Sequence, residues 1–154
     1  MLGRERTTLG AEVKMAGHYL SIMQARLGQR LTSRVDVPAD LRGLEVPPGL
    51  LLTLVENAVE HGIEPALAGG CVSVSARADL GTREVTVRVH DDGVGLAPGW
   101  QDGVGLANCR QRLAHRFGAS ARVDLLPLER GTSALMRWAV PALPGAAFPT
   151  GEPI

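Results

Sequence analysis

The stretch running from Pro47 to Gly62, PPGLLLTLVENAVEHG, decides how the rest of the chain is read. Proline at its start and glycine at its end are the usual punctuation of a helix. At about 100° per residue, Leu51, Leu52, Leu54, Val55, Ala58, Val59 and Ile63 fall on one continuous arc. Thr53, Glu56, Asn57, Glu60 and His61 take the opposite arc, with Leu50 as the only apolar intruder. Asn57 and His61 are four apart, so their side chains meet on one face. An amide oxygen beside an imidazole is a start on a site for a metal and an anion. Taken alone, the stretch reads equally as a surface helix with a wet polar face, and the sequence around it has to decide.

Upstream, Leu9, Val13, Ala16, Leu20, Met23 and Leu27 alternate in steps of four and three, which predicts a helix over roughly residues 8–30 with a coiled-coil type of seam. That seam fits packing on its own domain and fits the end of a helical hairpin lying further upstream. Leu31, Ser33, Val35 and Val37 alternate with polar residues as a short strand. Downstream of a Gly-, Ala- and Pro-rich loop (63–70), Val72, Val74, Ala76 and Ala78 alternate. Asp79-Leu80-Gly81-Thr82 turns, and Val85, Val87 and Val89 alternate again, a hairpin. The second strand runs into His90-Asp91-Asp92-Gly93-Val94-Gly95. Gly103-Val104-Gly105 then opens a helix with apolar Leu106, Cys109, Leu113 and Phe117, closed by Gly118. Two more strands follow, one through Ala121, Val123 and Leu125, the other through Ala134, Met136, Trp138 and Val140, joined by a turn at Glu129-Arg130-Gly131. About three helices and five strands of this kind predict an α+β, two-layer sandwich: one mostly antiparallel, mixed sheet covered on one face by helices.

Composition narrows the function classes. Sixteen basic and sixteen acidic residues cancel, and aromatics are 3% of the 154 residues, so neither a global field nor stacking platforms invite nucleic acid. The longest apolar run is too short to span a bilayer, and no signal peptide is visible. Two cysteines, Cys71 and Cys109, form no disulfide framework, which suits a reducing, cytoplasmic setting. There is no GxxxxGK[ST], no zinc spacing, no complete calcium loop and no nucleophile elbow. Gly103-Val104-Gly105-Leu106-Ala107-Asn108 imitates a dinucleotide fingerprint, but no strand precedes it and Asn108 replaces the third glycine.

What remains is a four-part pattern in fixed order: Glu56-Asn57 with His61, Asp91-x-Gly93-x-Gly95, Gly103-x-Gly105-Leu106, and Gly131-Thr132. It resembles the GHKL, or Bergerat-fold, ATP-binding domain shared by gyrase, histidine kinases and MutL. Tyr19-Leu20, Arg26, Arg30-Leu31, Val46-Pro47-Pro48, Leu54-Val55-Glu56-Asn57-Ala58, His61-Gly62-Ile63 and Gly103-Val104-Gly105-Leu106-Ala107-Asn108 through Gln111-Arg112-Leu113 are similar to the LytS/YehU type of bacterial sensor histidine kinase. The resemblance spans roughly residues 9–140.

The resemblance implies ATP and Mg²⁺ as cofactors. Asn57 is then the magnesium ligand, through a hard amide oxygen, with His61 near the phosphates and Glu56 a candidate catalytic group. Asp91 accepts from the adenine amino group, and Gly93 and Gly95 leave room for the base. Gly103, Gly105 and Leu106 belong to the phosphate-cradling loop at a helix N-terminus. Thr132 completes adenine recognition through water, and the segment between the glycine boxes is a short lid. The simpler readings are a capped turn at Asp91, positive-φ glycines, a helix-end cation at His61 and an exposed spectator at Glu56.

Two departures qualify this. Thr53 stands where ATP-hydrolysing relatives place a water-activating carboxylate, so efficient hydrolysis is not expected, whereas phosphoryl transfer stays open. None of His18, His61, His90 and His115 sits in a phosphoacceptor context, so the acceptor histidine is expected on an upstream dimerisation domain absent from this chain. The expected organisation is thus the end of a helical dimerisation or linker segment (1–30), an ATP-binding catalytic domain (31–140) and a disordered tail (141–154). The expected partners are the histidine-containing domain and a cognate response regulator, with no nucleic acid and no membrane segment in this chain. A serine kinase of the anti-sigma-factor type and a degenerate ATP-binding interaction module are the alternatives.

Overall fold

The computed structural model describes residues 6–96, 103–141 and 143. A two-residue strand β1 (Thr7–Thr8) leads into helix α1 (Leu9–Leu27), whose N-cap Thr8 accepts from the Ala11 N–H at 3.1 Å. Strand β2 (Leu31–Asp36), the short β3 (Glu45–Val46) and helix α2 (Leu50–Asn57) follow. The helix continues through a π-helical segment, Ala58–Ile63. Strands β4 (Gly70–Asp79) and β5 (Glu84–Asp91) form the expected hairpin. Its turn is held by the Asp79 carboxylate, which accepts from Gly81 and Thr82 N–H groups at 2.8 and 3.0 Å. Helix α3 (Val104–Phe117) precedes β6 (Arg122–Pro127) and β7 (Thr132–Ala139).

The five long strands make one sheet in the order β2-β4-β5-β7-β6, with β2 and β4 parallel and the other pairs antiparallel. β1 pairs with β3 as a separate two-stranded ribbon. Inward residues of alternate register, among them Val72, Val74, Val85, Val87, Val89, Met136 and Trp138, join Leu9, Val13, Leu20, Leu51, Leu54, Leu106 and Leu113 from the helices in one core. The α1 seam is packed on this domain's core. Leu143 is buried in the same core, and the remaining tail positions lie outside the described residues.

Three details of the organising helix differ from its sequence reading. It starts at Leu50, not at the prolines, because Gly49 takes a left-handed φ of 86° and serves as N-cap. Leu50 is 1% exposed rather than an intruder on a wet face, because α3 packs there, bringing Cys109 Sγ within 4.0 Å of the Leu50 carbonyl. Gly62 does not stop the helix; it lies inside the π turn, where the Glu64 N–H reaches back five residues to the Val59 carbonyl at 2.8 Å.

Trp138 of β7 is fully buried and stacks on Phe117, the last residue of α3, with centroids 5.1 Å apart. This contact fixes the far end of the helix whose near end carries Gly103 and Gly105. Trp138→Ala is expected to cost about 3–5 kcal/mol in denaturant unfolding; a loss below about 1 kcal/mol would show that the stack does not anchor α3.

Candidate functional site

The ends of α2, β5 and β7 leave a small cleft between them. Leu54, Asn57, Ala58, His61 and Gly62 line it from the helix, Val89 and Asp91 from β5, Gly95 and Leu96 from the loop beyond. Leu125 of β6 and Thr132 and Ala134 of β7 complete the wall. Five of the sequence-derived candidates, Asn57, His61, Asp91, Gly95 and Thr132, thus meet in one place. A mostly apolar cleft with a few convergent polar groups is the usual form of a small-ligand site.

Sheet register does much of the assembly. Asp91 and Thr132 are direct cross-strand partners in the β5–β7 pair. Both are buried, Asp91 at 3% and Thr132 at 8% exposure. Asp91 Oδ1 accepts from the Gly93 N–H at 3.0 Å. Burial holds the Asp91 carboxyl above its ordinary value of 3.8, against the pull of the Gly93 N–H and of His90. The unfolded chain therefore releases this proton first. Between 3.8 and the raised native value the native state binds more protons, so the stability that Asp91 contributes is fullest below 3.8 and falls as pH rises. Compared with an Asp91→Asn variant, the parent is expected to gain stability as pH drops through that window. Unfolding curves collected across it check this, and a pH-independent difference would contradict it.

The glycines near the cleft have different surroundings. Gly93 does not open the cleft: a Cβ there would run into the Gly62 backbone, 2.9 Å from its Cα and closer still to its carbonyl. The Val94 N–H donates to that same Gly62 carbonyl at 3.0 Å, so Gly93 lets the loop close on the π turn. Gly62, which sequence reasoning treated as a helix stop, gives room to the carboxylate; a Cβ there would stand 2.7 Å from Asp91 Cγ. Gly95, at φ 80°, does line the cleft.

At the entrance of α3, Gly103 is the N-cap, no side chain among the described residues caps this end, and the first turn carries no acid. Among the described residues, nothing lies within 4 Å of where a Gly103 Cβ would stand. A Cβ at Gly105 would come 3.2 Å from Thr53 Cγ2, one turn before Asn57, which ties this helix end to α2. Leu106 is 1% exposed and can offer a ligand only its backbone. Glu56 is not among the residues lining the cleft. Its carboxyl is raised by burial and by Glu60, and it joins Glu60 and Glu64 in acting on Tyr19 of α1, whose phenol is pushed up to about 12 by burial first and by these acids next. The lid segment (97–102) lies outside the described residues.

Several structural partners of the site escaped the sequence reading. Glu12 is one, and its place on the α1 seam, three after Leu9 and four before Ala16, was the available signal. Arg30, quoted from the sequence only as part of the resemblance, has a role the sequence did not give: its Nη2 donates to the Glu64 and Ala66 carbonyls at 2.7 and 3.0 Å, clamping the exit of the π turn. Asp92 accepts from the Cys71 N–H at 2.7 Å and so fixes the loop after Asp91.

A mixed sheet backed by three helices, with a buried carboxylate among the residues lining one cleft, is an α+β two-layer sandwich with a candidate small-ligand site; Gly103, Gly105 and Leu106 are not among the described residues that line it. Residues 48–142 match the family described as histidine kinase-, DNA gyrase B- and HSP90-like ATPases, and the chain belongs to that family. It is 33% identical over 134 residues to a putative uncharacterized protein, YwpD, of Bacillus subtilis, covering 81% of this chain and 47% of that one. It is 28% identical over 139 residues to the sensor protein LytS of Staphylococcus haemolyticus, covering 82% of this chain and 24% of that one. The chain thus spans half or less of the length of these relatives. The catalytic domain of histidine kinase ThkA has the same fold, with a TM-score of 0.63 at 17% identity over 87% of this chain and 93% of that one. Among the described residues no helix is long and apolar enough to cross a membrane.

Proposed function

We propose that the chain is the ATP-binding catalytic domain of a two-component sensor histidine kinase, handing the γ-phosphoryl group of ATP to a histidine on a dimerisation domain outside this chain and thence to a response regulator. The observation that carries the reading is the convergence of Asn57, His61, Asp91 and Thr132, drawn from three separate stretches of sequence, on a single cleft. In this reading the Asp91 carboxylate accepts from the adenine amino group and Thr132, its cross-strand partner, completes the polar edge around the base. Leu54, Ala58, Val89, Leu125 and Ala134 supply apolar walls for its faces. The N–H groups at the start of α3 receive the phosphates, with the helix dipole behind them.

Magnesium fits this donor set. The described residues hold no cluster of three or more His, Cys, Asp or Glu that would cage a metal alone. Mg²⁺ bound with a nucleotide needs only one or two protein oxygens besides phosphates and water, and the Asn57 amide is the candidate. The ion would neutralise charge on the transferring phosphoryl group. Asn57 and His61 orient the phosphates, and the apolar walls exclude water from the base. Glu56 has no contact with the cleft that gives it a direct role. With Thr53 in place of a water-activating acid, and its hydroxyl already donating to the Gly49 carbonyl at 2.9 Å, this chain has no residue on α2 poised to turn over ATP with water.

The test is transfer in trans. The chain, given ATP and a histidine-bearing dimerisation domain from a similar sensor kinase, is expected to label it with an acid-labile, alkali-stable phosphoryl group. Acid-stable label on a serine would move the assignment to a serine kinase of the same fold.

A further inference from the structure

We propose that Glu12 of α1 is a positioning residue for the nucleotide site, the buried carboxylate through which α1 sets the placement of the start of α2. The proposal rests on the nucleotide-site reading above. Glu12 is 3% exposed, an unusual place for a carboxylate without partners. Its partners are the start of α2. The Gly49 N–H reaches both carboxylate oxygens at 3.1 Å, and the Leu51 N–H reaches Oε1 at 3.2 Å.

Helix α2 has no cap of its own, because its N-cap is glycine and its first turn carries no acid. Glu12 therefore supplies from another helix both the missing cap and the negative charge favoured at a helix N-terminus. The same corner meets α3, since Arg112 Nη1 lies 3.6 Å from where a Gly49 Cβ would stand. From Gly49 to Asn57 is eight residues, roughly 12 Å of stiff helix at about 1.5 Å per residue. Over that length a shift at the cap is carried to Asn57 and, through Thr53, to Gly105.

Other buried α1 residues hold this helix by dispersion and area alone, which tolerate small slides. A carboxylate hydrogen-bonded to two fixed N–H groups is directional. The structure thus gives α1 an apolar seam for stability and, at Glu12, a buried polar contact that fixes its register against the start of α2.

The experiment compares three variants of the full chain: Glu12→Ala, Glu12→Gln and Met23→Ala. Met23 is buried on α1 about three turns away from the cap. Thermal unfolding ranks their stabilities, and calorimetric titration with a non-hydrolysable ATP analogue and Mg²⁺, well below each Tm, gives affinity. Glu12→Ala is expected to bind about tenfold more weakly, and Glu12→Gln, which keeps an acceptor on the same stem, about threefold more weakly. Met23→Ala is expected to stay within about twofold of the parent whatever its loss in Tm. Equal weakening in Glu12→Ala and Met23→Ala, or unchanged affinity in all three, overturns the positioning role. A parent that binds no nucleotide overturns the site reading itself and this proposal with it.

Discussion

Asp91→Asn is expected to weaken nucleotide binding at least about a hundredfold while leaving the fold as stable as the parent, or more so, at neutral pH. The carboxylate is buried with its Oδ1 on the Gly93 N–H, a bond that an asparagine oxygen can still accept. The other oxygen becomes an NH₂ group and confronts the adenine amino group donor to donor, leaving two polar groups unsatisfied at a buried position of the cleft wall. At the same time the charged form of Asp91 is held there against its desolvation, so removing the charge relieves a cost of the native state at neutral pH. The parent's own affinity should accordingly rise with pH through the native Asp91 pKa, since only the ionised form accepts from the amino group in both lone-pair directions. Calorimetry and denaturant unfolding on the two proteins separate the effects. An Asp91→Asn variant that binds as tightly as the parent would remove Asp91 from the site.

Gly93→Ala carries the second large effect, on the fold and the site together. The added methyl would collide with the carbonyl and Cα of Gly62, the latter at 2.9 Å. Backbone inside a hydrogen-bonded π turn cannot swing aside as a flexible side-chain tip does. Either the loop after β5 lifts, breaking the Val94 N–H bond to the Gly62 carbonyl, or the π turn shifts and carries His61 with it. Overpacking of this kind costs about 1–3 kcal/mol, with the lost bond adding about 1. The expected result is a fall of several degrees in Tm with nucleotide binding lost even where the protein stays folded. Gly81→Ala, in the exposed hairpin turn where the nearest atom is 3.3 Å away, is the control and should bind normally. Normal affinity in Gly93→Ala would show that the contact between loop and π turn does not shape the cleft.

These two residues illustrate what the sequence made legible. Everything periodic was readable: the 3.6-residue pattern of α1 and α3, and the alternation that produced β4, β5 and β7 in the right order. Asn57 and His61 on one helix face were readable too, because spacing alone places them. The meeting of Asp91 with Thr132 was not written in any local pattern. It follows from antiparallel register between strands some forty residues apart, and resemblance to a family stood in for it.

What failed to show were close approaches of backbone to backbone. Gly62 looked like a helix stop because nothing near it in sequence announces that Asp91 will lie against it. Gly93 looked like a slot for a ligand because its true neighbour, the Gly62 carbonyl, arrives from another element. Glu12 was hidden for a related reason: in a seam otherwise made of Leu, Val, Ala and Met, its partners are backbone N–H groups, which no sequence displays. Glu56 entered the candidate set as part of the Glu56-Asn57 box; it is not among the described residues lining the cleft, and its charge acts on Tyr19.

The measurement that tests the account most directly is a calorimetric titration of the chain with a non-hydrolysable ATP analogue, with and without Mg²⁺, repeated on Asp91→Asn. The account predicts saturable one-site binding that strengthens with Mg²⁺ and disappears in the variant. Equal affinity with and without the metal, or no binding by the parent, would contradict it.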